Sequence, residues 1–109
     1  MVFISNENFK LVFDNIILKQ LKKLGKDKNI KEIISKMLDK IQENGPNAGK
    51  LLDSRLALYE VKTKRPPLRL YYKIVETTEA YVFEYKMKTS NEKQHKTIEK
   101  IKQKIRLKP

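Results

Sequence analysis

Six cations spaced by twos along three short runs supply most of the chemistry this chain can offer. They are Lys62 and Lys64 in YEVKTK, Arg69 and Lys73 in LRLYYK, and Lys86 and Lys88 in EYKMK. Successive side chains of a β-strand point to opposite sides, so each run would place its cations on one face beside Glu60, Tyr71 and Glu84. The apolar alternates, Tyr59, Val61, Leu68, Leu70, Tyr72, Ile74, Tyr81, Phe83, Tyr85 and Met87, would form the other face, a core. Arg65 adds a further cation in the turn between the first two runs. A surface of this composition suits a polyanion.

Attack of a ribose 2′-hydroxyl on its neighbouring phosphate needs a proton acceptor, a donor to the leaving 5′-oxygen and positive charge on the phosphorane oxygens, and it needs no metal. His95, with an ordinary pKa of about 6.5, can serve as acid or base. Arg69 can grip phosphate oxygens in bidentate fashion. Lys62, Lys64, Lys86 and Lys88 can supply field, Glu60 or Glu84 can orient a base or pair with a lysine, and Tyr71 can stack on a nucleobase. Each has a plainer explanation: solvated sheet faces ordinarily carry lysines, a lone histidine among lysines on a helix is more often a surface residue than a catalyst, and the two glutamates are natural local ion-pair partners.

The elements that must position these residues are legible in outline. Phe9 to Phe13 (FKLVF) is short and β-prone, and Asp14 or Asn15 can cap a helix in which Ile17, Leu21 and Leu24 recur at helical spacing. From about Asn29 to Glu43, Ile30, Ile33, Ile34, Met37, Leu38 and Ile41 form one apolar stripe, so the two helices make a hairpin that covers the apolar face of the sheet. Asn44 to Gly49 is rich in chain breakers and reads as a connection, without the spacing of a phosphate-binding loop. The three strands then lie between Leu56 and Lys88, separated by Arg65-Pro66-Pro67 and by Glu76 to Glu79. Thr89, Ser90 or Asn91 can cap a terminal helix with Ile98, Ile101 and Ile105 on its buried side and His95 in its first turns. The expected fold is therefore α+β: a small antiparallel sheet in β-α-α-β-β-β-α order, a helical hairpin on one face and a terminal helix.

At 109 residues the chain reads as a single domain, 1–109. Its net charge of +12 is uneven: residues 1–48 hold nine Lys or Arg against six Asp or Glu, and residues 49–109 hold sixteen against seven. Nucleic acid is the leading partner on that balance, ahead of an acidic protein or an anionic membrane. The chain has no cysteine and one histidine, which argues against thiolate chemistry and a histidine-based metal site, and no cofactor is expected. The amino terminus lacks the look of a secretory signal and no run approaches a spanning helix, so a cytoplasmic protein with no membrane partner is expected.

In this order, the stretches FDNIILKQLKKLG, LYEVKTKRPPLRLYYKI and VFEYKMKTSNEKQHKTIEKIKQ resemble the RelE/ParE superfamily of type II toxins, and the terminal stretch looks most like its HigB branch. The resemblance implies a ribosome-dependent endoribonuclease, or mRNA interferase, that cuts messenger RNA in the decoding site and is neutralised by a cognate antitoxin. It also implies that a basic sheet surface holds the messenger, that an arginine on the middle strand supports the scissile phosphate, and that a Tyr or His near the terminal helix assists proton transfer. Arg69 stands in the arginine's place, Lys62 and Lys64 match the basic pair on the preceding strand, and His95 falls where the Tyr or His is expected. Thr89 departs from the pattern, standing where some members carry a second arginine. The ParE branch of the same resemblance implies instead a gyrase inhibitor that acts by binding. A third reading, from the charge alone, is a nucleic-acid-binding module that never cleaves.

Overall fold

The computed structural model describes residues 8–88 and 90–107. The chain runs β1 (Lys10–Phe13), α1 (Asn15–Leu24), α2 (Lys28–Asn44), a short 3₁₀ turn (Gly45–Asn47), β2 (Lys50–Asp53), β3 (Leu58–Lys62), β4 (Leu68–Val75), β5 (Glu79–Met87) and α3 (Asn91–Leu107). The α+β class, the helical hairpin and the terminal helix are as expected. The sheet is larger than the reading allowed. It has five strands in the order β1-β5-β4-β3-β2, and β1 lies parallel to β5 while every other pair is antiparallel.

Local chemistry sets the helix ends. The Asp14 carboxylate accepts from the Ile16 amide at 3.2 Å and the Asp27 carboxylate from the Ile30 amide at 3.2 Å, each satisfying an N-terminal N–H that the helix itself cannot. Gly45 closes α2 with φ of 54°, donating its amide to the Ile41 carbonyl, and its own carbonyl accepts from the Tyr72 hydroxyl at 2.8 Å. A side chain at Gly45 would run into the Phe9 ring, so both the backbone angle and the close approach require glycine. At Gly49 a Cβ would meet the Glu60 carbonyl, which lets the chain enter β2 tightly against β3.

Two cores result. The helical hairpin packs Ile17, Met37 and Ile41 against Val61, Leu70, Tyr72, Ala80 and Val82 on one face. On the other face α3 packs Ile101, with Ile98 and Ile105, against Leu58, Tyr71 and Phe83. The second core corrects the simple alternation drawn from the sequence. Tyr71 pairs with Glu84 but Tyr72 pairs with Val82, so Phe83 is the extra residue of a β-bulge. One added residue turns the rest of the strand over: Tyr81 and Phe83, expected beneath the hairpin, lie on the α3 side, and Ala80 and Val82 stand beneath the hairpin in their stead.

Beyond the end of β1, the Gln20 side chain continues the ladder. Its amide donates to the Tyr85 carbonyl at 2.9 Å and its oxygen accepts from the Tyr85 amide at 3.0 Å, covering a length of β5 edge that has no strand beside it. Among the described residues no helix is long and apolar enough to cross a membrane.

Candidate functional site

The antiparallel register lines up the candidate residues in rows across the sheet. Lys62 faces Arg69 and Arg69 faces Lys86, so three cations sit side by side on β3, β4 and β5. Directly opposed like charges destabilise a sheet, and stability gives no reason for this row. The next row, two residues along, is Glu60, Tyr71 and Glu84.

Glu60 answers Arg69. The Arg69 Nη1 donates to Glu60 Oε1 at 2.8 Å, with the arginine side chain 13% and the glutamate 3% exposed. The second Glu60 oxygen lies 3.5 Å from the Gln94 amide nitrogen, on the first turns of α3. Held this way, the guanidinium is fixed in orientation, and most of its five N–H donors remain available for an anion.

Arg69 lines a concavity of about 320 Å³ together with Lys62, Lys64 and Lys88, floored by Pro67 and Leu68. Its rim is pinned by short bonds. The Thr63 hydroxyl donates to the Pro66 carbonyl at 2.7 Å and accepts from the Leu68 amide at 3.2 Å, while the Lys88 amide donates to the Pro67 carbonyl at 2.7 Å. Lys62, Lys64 and Lys88 are exposed around a half-buried, oriented Arg69. That is an exposed cationic rim around a fixed fork, an arrangement that can hold a phosphodiester and offset charge developing on it.

His95 is not in this concavity. It is exposed on α3 and lines a neighbouring open groove of about 800 Å³ whose other charged residues are Lys86, Lys93, Lys96 and Lys100 and the carboxylates Glu84, Glu92 and Glu99. Lys86 of this groove opposes Arg69 of the concavity across the sheet, and His95 follows directly on Gln94, which reaches Glu60. His95 and Arg69 thus line two separate hollows, one beside α3 and one at the end of β3 and β4.

Three expected contributors stand differently. Tyr71 is only 1% exposed, packed among Leu58, Phe83 and Ile101, and presents no ring face to a base. Burial, with the nearby Glu60 charge, pushes its hydroxyl up to about 12, so it stays neutral. The Lys73 ammonium donates to the Leu56 carbonyl at 2.8 Å and ties down the chain ahead of β3. Arg65 is exposed in the β3–β4 turn, outside the concavity. Thr89, the departure from the resembled pattern, lies outside the described residues. Gln94 went unnoticed in the sequence, since nothing about a glutamine beside His95 signals that α3 brings it to Glu60.

No family model matches this chain, and no curated protein matches it. Solved structures do. The isolated E. coli RelE toxin superposes with a TM-score of 0.62 at 24% identity, over 85% of this chain and 98% of that one. RelE in the intact E. coli RelBE toxin–antitoxin complex gives 0.60 at 25% identity, over 75% and 99%. A doubly substituted E. coli RelE in the free state gives 0.64 at 24% identity, over 86% and 98%.

Proposed function

The chain has the fold of the RelE superfamily, and we propose that it is the toxin of a type II toxin–antitoxin pair, an endoribonuclease that cuts messenger RNA on the ribosome. The observation that carries this reading is the row Lys62–Arg69–Lys86, of which Lys62 and Arg69 line a concavity that also holds Lys64 and Lys88. Sheet stability disfavours such a row, and a bound phosphate would neutralise it.

In the proposed reaction the messenger backbone lies across the concavity, with the scissile phosphate on the Arg69 fork. The 2′-hydroxyl attacks its own phosphate, and a 2′,3′-cyclic phosphate forms as the bond to the 5′-oxygen breaks. Arg69 and the lysines offset the charge gathering on the phosphorane oxygens. His95, from the neighbouring groove, donates a proton to the leaving 5′-oxygen or accepts one from the 2′-hydroxyl. Glu60 acts through Arg69, holding the guanidinium in place. No step draws on a metal.

A cognate antitoxin follows from the same reading, as RelE is held by an antitoxin in the RelBE complex. An acidic segment lying on Arg69 and its lysines would complement their charge.

Induced expression with growth and messenger integrity as readouts tests the proposal. Growth arrest with cleaved messenger is expected for the native chain, and recovery for His95→Ala. Growth arrest with intact messenger and lost gyrase supercoiling, unaffected by His95→Ala, would favour the ParE-like reading. Strongly salt-dependent binding to naked nucleic acid with no cleavage even on ribosomes would leave a binding module.

A further inference from the structure

Arg69 and His95 stand in separate hollows, yet the proposed reaction needs both at one phosphate. A short chain of polar contacts joins the two. Arg69 donates to one oxygen of Glu60 at 2.8 Å, and the other Glu60 oxygen lies 3.5 Å from the amide nitrogen of Gln94, the residue before His95. Glu60 is 3% exposed, so each of its oxygens faces a donor of the protein.

Gln94 stands apart from its neighbours. From Asn91 to Lys96 every side chain is exposed except Gln94, which is half-buried. Among the described residues, the other side-chain bonds of these turns stay within α3 and its cap: the Lys93 amide donates to the Ser90 hydroxyl at 3.3 Å, and the Thr97 hydroxyl donates to the Lys93 carbonyl at 3.1 Å. The anchors of α3 lie further on, in Ile98, Ile101 and Ile105, in Lys102 against Asp53 at 3.4 Å and in Lys104 against Asp14 at 2.8 Å. Helix ends held by few contacts open locally at little cost. The Gln94–Glu60 contact is therefore what ties the turns carrying His95 to the sheet. A glutamine amide is a neutral donor, so it can hold Glu60 without displacing the charged Arg69 fork.

We propose that Gln94 is a positioning residue: by donating to Glu60 it docks the first turns of α3 on β3 and sets the place of His95 relative to the phosphate on Arg69. This rests on the cleavage reading above and adds to it the residue that brings its two halves into register. Glu60 then serves both halves, orienting the Arg69 fork with one oxygen and the start of α3 with the other.

Single-turnover cleavage of a defined messenger on programmed ribosomes tests it, with the maximal rate and the half-saturating concentration of the chain read separately. Gln94→Ala keeps a good helix former at this position. It should lower the maximal rate about tenfold, as a small misplacement of a reacting group does, and leave the half-saturating concentration nearly unchanged. Gln94→Lys, which can still donate to Glu60, should keep most of the native rate. In a His95→Ala background, Gln94→Ala should cost nothing further, because the residue it positions is gone. Amide hydrogen exchange should quicken over residues 95–98 of Gln94→Ala and match the native chain over residues 101–105, a comparison that needs no activity. A native rate or native exchange in Gln94→Ala, or an equal further loss in the His95→Ala background, would overturn the positioning role and leave the cleavage reading standing. No cleavage by the folded native chain would overturn both.

Discussion

Arg69 does two jobs, and substituting it tests both at once. Its guanidinium faces the concavity and also neutralises Glu60, which is 3% exposed. Arg69→Ala should lower cleavage by at least about a hundredfold, but it also strands a buried carboxylate, a change that costs about 3 kcal/mol. A lowered melting temperature is therefore expected of Arg69→Ala. Arg69→Gln can still donate to Glu60, so it should melt closer to the native chain while remaining inactive. Retained cleavage in a folded Arg69→Gln would remove Arg69 from the chemistry. His95 is exposed and carries no structural load, so His95→Ala should lower cleavage by about a hundredfold with circular dichroism unchanged. The cations at this scale were legible because period-two spacing reports which side chains share a face. Tyr71 and Lys73 were placed on the right face, yet they are covered or tied down there, because nothing in the spacing says that α3 crosses over Tyr71 and that Leu56 bends back to Lys73.

At the scale of elements, α3 supplies both Gln94 and His95, so its seating governs the site. Besides Ile98, Ile101 and Ile105, it is held by Lys104 to Asp14 at 2.8 Å and by Lys102 to Asp53 at 3.4 Å. Asp14 also accepts from the Tyr81 hydroxyl at 2.8 Å while capping α1, so one carboxylate joins α1, β5 and α3. Burial pushes the Asp14 pKa upward, but bonds from Lys104, Tyr81 and the Ile16 amide outweigh it and leave the pKa lowered. Asp53 is lowered too, mainly by the Leu56 amide. A lowered carboxylate pKa adds stability that is complete above the unfolded value of about 3.9 and lost as pH falls through the folded value. The melting temperature should therefore drop below about pH 4. Asp14→Asn should melt lower at pH 7 and show a shallower acid drop; an unchanged acid profile would mean that Asp14 does not anchor α3. The helices were legible because Ile30, Ile33, Ile34, Met37, Leu38 and Ile41 repeat at helical period over about three turns. The four-residue β2 is too short to show a period, and the Phe83 bulge exists only in how two strands pair.

For the whole molecule, the excess of positive charge in the second half of the sequence is concentrated by the fold where the sheet end meets α3. RNA binding should weaken steeply with salt, since each neutralised phosphate releases counterions. Lys62→Ala should weaken it for all sequences alike and reduce the salt slope by about one; an unchanged slope would take Lys62 off the backbone path. The topology was readable only in part. The α+β class and the hairpin follow from local periods, whereas the parallel seat of β1 beside β5 joins residues some seventy positions apart and leaves no local trace. The central claim is that this fold cuts messenger RNA at Arg69, and primer extension on a defined messenger in a reconstituted translation reaction tests it most directly. Discrete cuts in frame with the ribosome, present with the native chain and absent with folded Arg69→Gln, are the predicted result. Intact messenger with the folded native chain, or the same cuts with the variant, would contradict it.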